Sequence, residues 1–162
     1  MPISHEHKLI LVHVPKNAGT SIQEAFGMDD MQGHHTAKQY VDQVPEIWES
    51  YTSLATVRNP YDRAVSAYEY AVKKKSYWHD ANSPGNAIYG KHPDYDALKN
   101  KSFEYALRNI GSLQHHGWDR QVKYVCGDSG EVAVDEVVCV ENLGEELEQF
   151  CDREDIEYPG LP

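Results

Sequence analysis

The chain has 162 residues, of which 40% are hydrophobic and 25% charged, the balance of one folded domain with a real core rather than a disordered tail. Acidic residues outnumber basic ones 26 to 15, for a formal charge of −11, which opposes broad binding to nucleic acid or anionic membranes but not an anion held in one local basic pocket. No run approaches the about 20 apolar residues of a transmembrane helix, and the opening MPISHEHK lacks the apolar stretch of a signal peptide. The three cysteines, Cys126, Cys139 and Cys151, form no CxxC pair, so the sequence reads as a cytoplasmic chain with free thiols.

The elements follow in chain order. Lys8–Val14 (KLILVHV) is short, apolar and β-branched, the pattern of a buried strand, with His13 as a core or edge residue of it. Pro15 ends the strand and the loop PKNAGTS follows. Ser21–Phe26 reads as a short helix that Thr20 or Ser21 caps and Gly27 stops. A helix is expected from Thr36 to about Glu49, interrupted or kinked at Pro45. Ser53–Val57 (SLATV) is a second strand. Asn59 then suits an N-cap and Pro60 a first helical position, opening a helix to about Lys75. Its apolar stripe is Tyr61, Ala64, Val65, Tyr68 and Val72.

Residues 76–101 are rich in Gly, Pro, Asn and aromatics and read as a long loop. Ser102–Ile110 is a short helix with Phe103, Ala106, Leu107 and Ile110 on one face and Gly111 as its stop. Val122–Val125 and Glu131–Val134 flank GDSG as a hairpin would. Val137–Val140 is a third buried strand, and Leu143 to about Arg153 a charged terminal helix. This order predicts a single α/β domain over residues 1–162, with helices on both sides of a mostly parallel sheet, three layers in all.

Two places carry chemistry. In the strand–PKNAGTS–helix connection, several backbone amides pointing one way and the dipole of the following helix favour an anion, and Ala18 adds little bulk. Gly19 permits close backbone approach, Lys16 adds a point charge, and Thr20 and Ser21 add hydroxyls. The plain alternative is a tight turn with a surface lysine. The ATPase pattern GxxxxGK[ST] is absent, because the lysine precedes the glycine, and the third strand leads into Glu141 rather than Asp. The second place is Arg58, just after a strand, with Ser66 two turns along the next helix. Together they suit a second anion, by a guanidinium clamp and a hydroxyl. Both places lie at strand C-terminal ends, where open α/β sheets bind ligands.

These residues resemble those of a known family. LVHVPKNAGTSIQEAF resembles the 5′-phosphosulfate loop of sulfotransferases that use 3′-phosphoadenosine 5′-phosphosulfate (PAPS), whose carbohydrate branch, the heparan-type enzymes included, carries PK-T-AG-T-S after a strand. TVRNPYDRAVSAYEY resembles their 3′-phosphate motif, and VVCVENLGEELEQFC their late strand and Glu-Asn-Leu helix start. The resemblance implies a P-loop-like fold and transfer of a sulfuryl group from PAPS to a hydroxyl, most naturally of a carbohydrate, with 3′-phosphoadenosine 5′-phosphate (PAP) as product and no metal. It implies that Lys16 stabilises charge on the leaving oxygen, that Asn17 to Ser21 cradle the 5′-phosphate, and that Arg58 and Ser66 hold the 3′-phosphate. Asn17 stands where the family has threonine.

Sulfuryl transfer to a hydroxyl also needs a base, and histidine suits that near neutral pH. In related enzymes a histidine between the two motifs serves, which here points to His34, with His35 next, in GHHTAKQY. His115 and His116 are either exposed loop residues or lining of the acceptor site, and Tyr77, Trp78, Tyr89 and Tyr95 of the long loop are where an acceptor would be read. The family continues past its Glu-Asn-Leu helix while this sequence ends at Pro162, so part of the acceptor site or adenosine wall is either missing or supplied by a second subunit. The acidic charge fits poorly with a heavily sulfated acceptor. Two other readings share the residues: a P-loop-type small-molecule kinase, against which the position of the lysine counts, and a non-catalytic PAP-binding module.

Overall fold

The computed structural model describes residues 1–28, 33–82 and 90–162. The chain divides into two compact units, one of residues 1–59 and 120–162, the other of residues 60–119. The larger unit holds a four-stranded sheet in the order β1 (Ile3–Ser4), β2 (Leu9–Val12), β3 (Thr52–Val57), β4 (Glu136–Cys139). β2, β3 and β4 run parallel, with Val12 opposite Ala55 and Val57 opposite Cys139. β1 pairs antiparallel with β2 and had no signal in the sequence, because a two-residue strand is below any periodicity.

All four residues of β2 are buried, since alternate residues feed two separate cores. Leu9, Leu11, Leu54 and Val138 pack against Ile22 and Phe26 of the α1 region (α1, Gly19–Ala25) and against Leu147, Phe150 and Cys151 of the terminal helix (Leu143–Arg153). Ile10, Val12 and Ala55 pack on the other face against Ala37 and Tyr40 of α2 (Ala37–Gln43), against Ile47 and Trp48 of α3 (Pro45–Ser50), and against Tyr124 and Val125. Helices therefore flank the sheet on both faces. The expected helix over Thr36–Glu49 is divided where Pro45 sits, and Pro45 becomes the first residue of α3.

Several expectations are corrected. Neither Thr20 nor Ser21 caps α1; the helix starts at Gly19 after Ala18 in left-handed conformation, without a side-chain cap. The hairpin is replaced by a helical turn, Val122–Val125, followed by a single bridge between Cys126 and Val132. That turn buries Tyr124 and Val125 together, which an alternating strand cannot do.

The second unit contains α4 (Pro60–Val72), α5 (Tyr95–Leu98) and α6 (Phe103–Arg108). α4 stops at Val72, short of Lys75, and its buried residues are Arg63, Ala67 and Ala71, whereas Tyr61 is 80% exposed. The stripe is shifted because small side chains allow the close approach of Leu98 and Ala106 to Ala71, and buried Arg63 donates from Nη1 to the Asp119 carbonyl at 2.7 Å. α6 likewise buries Ala106 while Leu107 and Ile110 stay exposed, and Gly111 lies in a following 3-10 turn. The long loop is not structureless. Asp94, buried at its end, accepts hydrogen bonds from the Gln114 and His115 amides and from Trp118 Nε1 at 2.7, 3.1 and 3.0 Å. The rings of Tyr70, Trp78, His92 and His115 cluster beside it, with His92 and His115 centroids 4.4 Å apart.

Candidate functional site

The loop after β2 takes a form that its sequence permits at a cost. Lys16 and Ala18 both adopt left-handed backbone conformation, with φ of 69° and 60°, a region that L-residues other than Gly and Asn avoid by roughly 1–2 kcal/mol each. Asn17, between them, holds the turn. It is fully buried, its Nδ2 donates to the Thr56 carbonyl at 2.8 Å, and its own carbonyl accepts from Thr56 Oγ1 at 2.6 Å. Asn17 Oδ1 is buried with no hydrogen-bond partner among the described residues. The turn delivers the chain into α1, where the Ser21 and Ile22 amides bond back to the Ala18 carbonyl at 3.1 and 3.4 Å and those of Gly19 and Thr20 precede the intrahelical ladder. At Gly19 a Cβ would stand 2.0 Å from His13 Cδ2, so only glycine fits beneath that ring.

His13 is not a core residue of the strand. It stands one residue beyond β2, half-buried, its ring over Gly19 and 4.6 Å from the His34 ring, nearly perpendicular to it. Burial, and then the neighbouring His34 and Lys16, push its imidazole down to about 3, so it is neutral wherever the protein is folded at ordinary pH. Sequence reasoning missed this placement, although the residue's position two before PK was a usable signal.

His34 is brought to the same place. Its Nδ1 lies 3.0 Å from the His13 carbonyl oxygen. A carbonyl only accepts, so Nδ1 carries the hydrogen, and in the neutral ring the lone pair is on Nε2. His35 points elsewhere: its ring packs 6.1 Å from Tyr40 and its Nδ1 is buried without a partner among the described residues. Burial, then the α-amino charge of Met1, lower its pKa. Gly33 precedes the two histidines with a φ of 95°, and a Cβ there would stand 2.8 Å from His35 Cε1; Thr36 follows them. Thr36 caps α2 in a capping box with Gln39, at 3.2 Å to the Gln39 amide and 2.8 Å back.

Arg58 follows β3, the strand beside β2, so its loop opens at the same sheet edge as the Lys16 loop. The next amide, Asn59 N, donates to Glu141 Oε1 at 2.6 Å. That bond, with the positive charge of Arg58 adding to it, keeps the Glu141 carboxyl below its usual range. Arg58 itself is bound at both backbone groups by Gln121, which the sequence did not single out: Gln121 Oε1 accepts from Arg58 N at 2.9 Å and Nε2 donates to Arg58 O at 2.8 Å. Ser66 stands on α4 in the second unit, half-buried. In that unit His115 is half-buried with its Nδ1 accepting from Gly117 N at 2.9 Å, while His116 is exposed. Tyr89 lies outside the described residues. Among the described residues, no three His, Cys, Asp or Glu side chains gather as a metal site would need, and no helix is long and apolar enough to cross a membrane.

The larger unit is thus an α/β layer with two basic loops at the C-terminal edge of adjacent parallel strands, one of them joined to a pair of imidazoles. The sequence profile of the Sulfotransferase family matches residues 1–158, and the chain belongs to that family. No curated protein and no solved structure matches it.

Proposed function

We propose that this protein is a PAPS-dependent sulfotransferase acting on a hydroxyl, most naturally of a carbohydrate, on a P-loop-like fold. The observation that carries the reading is the placement of Lys16, His34 and Arg58 at one sheet edge in a chain of this family. The left-handed turn around Asn17 and the first amides of α1 suit a phosphate, and Arg58 on the neighbouring loop suits a second one, with Ser66 assigned to it by resemblance. When bound, PAPS supplies an activated sulfuryl group and an anionic leaving phosphate.

The residues divide the work. Lys16 places a cation where leaving-group charge develops. His34 takes the acceptor's proton at Nε2, and the His13 carbonyl holds the ring in the tautomer that leaves this nitrogen unprotonated. His13, held neutral, adds no charge beside it. His35, turned toward Tyr40, is the weaker candidate.

The test is transfer from labelled PAPS to a panel of neutral and acidic glycans, read as PAP release and label uptake. Lys16→Ala is expected to lower kcat by about 100-fold or more, the scale of losing a transition-state charge stabiliser, with the melting temperature nearly unchanged. Full activity in that variant, or no PAP release with any acceptor, rejects the reading.

A further inference from the structure

We infer that Gln121 is a positioning residue that fastens the two anion-binding loops to each other. The inference rests on the proposed function for what the loops bind, but the coupling itself is a property of the chain.

Every polar group of the Gln121 amide is engaged. Oε1 accepts from Arg58 N at 2.9 Å and from Asn17 Nδ2 at 2.6 Å, and Nε2 donates to Arg58 O at 2.8 Å. The side chain thus pairs both backbone groups of Arg58 as a neighbouring strand would, one residue past the end of β3. At the same time it holds Asn17, whose other Nδ2 hydrogen goes to Thr56 O at 2.8 Å and whose carbonyl accepts from Thr56 Oγ1 at 2.6 Å. A continuous network therefore runs from the Lys16 turn through Asn17 and Gln121 to Arg58. It closes back through β3 at Thr56.

The support beneath Gln121 is firm. It immediately precedes the helical turn Val122–Val125, whose Tyr124 and Val125 are buried in the core that also holds Val12 and Ala55. Asn17, flanked by two left-handed residues, needs such external bonds to keep its turn. A neutral amide also suits the place, because it joins two anion-binding loops without adding charge to either. Glutamate would keep both accepting contacts, lose the donation to Arg58 O, and set a negative charge between the loops.

The test uses the full chain with Gln121→Met and Gln121→Glu. Amide hydrogen exchange on the ligand-free protein reads the coupling directly. Gln121→Met is expected to speed exchange at Arg58 and also across residues 16–20. Faster exchange at Arg58 alone, which has merely lost its acceptor, overturns the inference. Affinities for adenosine 5′-phosphate and adenosine 3′-phosphate are then measured separately. Both are expected to weaken, each by about 3- to 10-fold, the scale of one lost hydrogen bond. A change in only one, or a lower melting temperature with both affinities intact, also overturns it. Should Gln121→Met fail to fold, Gln121→Glu decides: it weakens both nucleotides, less so at high salt, and unchanged affinities count against the coupling. If the wild-type chain binds neither nucleotide, the sulfotransferase reading fails while the exchange pattern still judges the coupling.

Discussion

His13 shows what a single side chain contributes at this site. Its imidazole is neutral in the folded chain and titrates near its ordinary 6.5 when unfolded, because folding lowers its pKa to about 3. Between those values the unfolded state binds the extra proton, so stability is complete above pH 6.5 and falls as pH drops toward 3. One proton corresponds to a slope of up to about 1.4 kcal/mol per pH unit. His13→Gln, which cannot titrate, is expected to lose that component of the acid limb in denaturant melts taken from pH 7 to pH 4. An identical acid slope in variant and wild type would mean that the ring is solvated rather than wedged over Gly19. The groups facing it, His34 and Lys16, both add to the depression, so the same arrangement that keeps His13 neutral also surrounds the proposed base.

At the scale of elements, short helices set the site. α1 and α2 have seven residues each, too few to be stable alone, and so depend on caps and packing. α2 has a full capping box on Thr36, directly after the two histidines. Thr36→Ala is expected to cost about 1 kcal/mol, measured as a shift of the urea midpoint at constant slope. It is also expected to reduce turnover more than that loss of folded protein explains, because the cap fixes the chain just beyond His34. Turnover that merely tracks the folded fraction would show that His34 is held by its bond to the His13 carbonyl alone. α1 lacks a side-chain cap, and its start is held instead by the Ser21 amide on the Ala18 carbonyl at 3.1 Å.

For the whole molecule, the charge of −11 sets the background against which a local basic site works. A nucleotide with two phosphate groups would have to be drawn in by fixed donors at short range, since the far field repels it. Saturating PAP, at about 100 times its dissociation constant, is expected to add roughly 2.7 kcal/mol, a melting shift of about 5–10 °C for a chain this size. The shift is expected with PAP and not with ATP plus magnesium, and to shrink sharply in Arg58→Ala. A shift with ATP–magnesium alone would move the chain to the kinase reading.

Much of this was legible in the sequence because it is local. The apolar run before PKNAGTS, the proline that opens α3, the Asn59-Pro60 start of α4 and the terminal helix all signal their positions within a few residues. The two motifs at strand ends carried the family. What the sequence left open is non-local. The bond between Asn17 and Gln121 spans 104 positions and that between Asn17 and Thr56 spans 39, and nothing in either residue's neighbours specifies its partner. The buried face of α4 and the turn at Val122–Val125 likewise follow from what packs against them, not from their own periodicity. The sequence by itself determined the strand–loop–helix units and the family to which they belong. Only the tertiary structure decided which side chains hold those units in register, because long-range hydrogen bonds form between groups that come together only once the sheet has assembled.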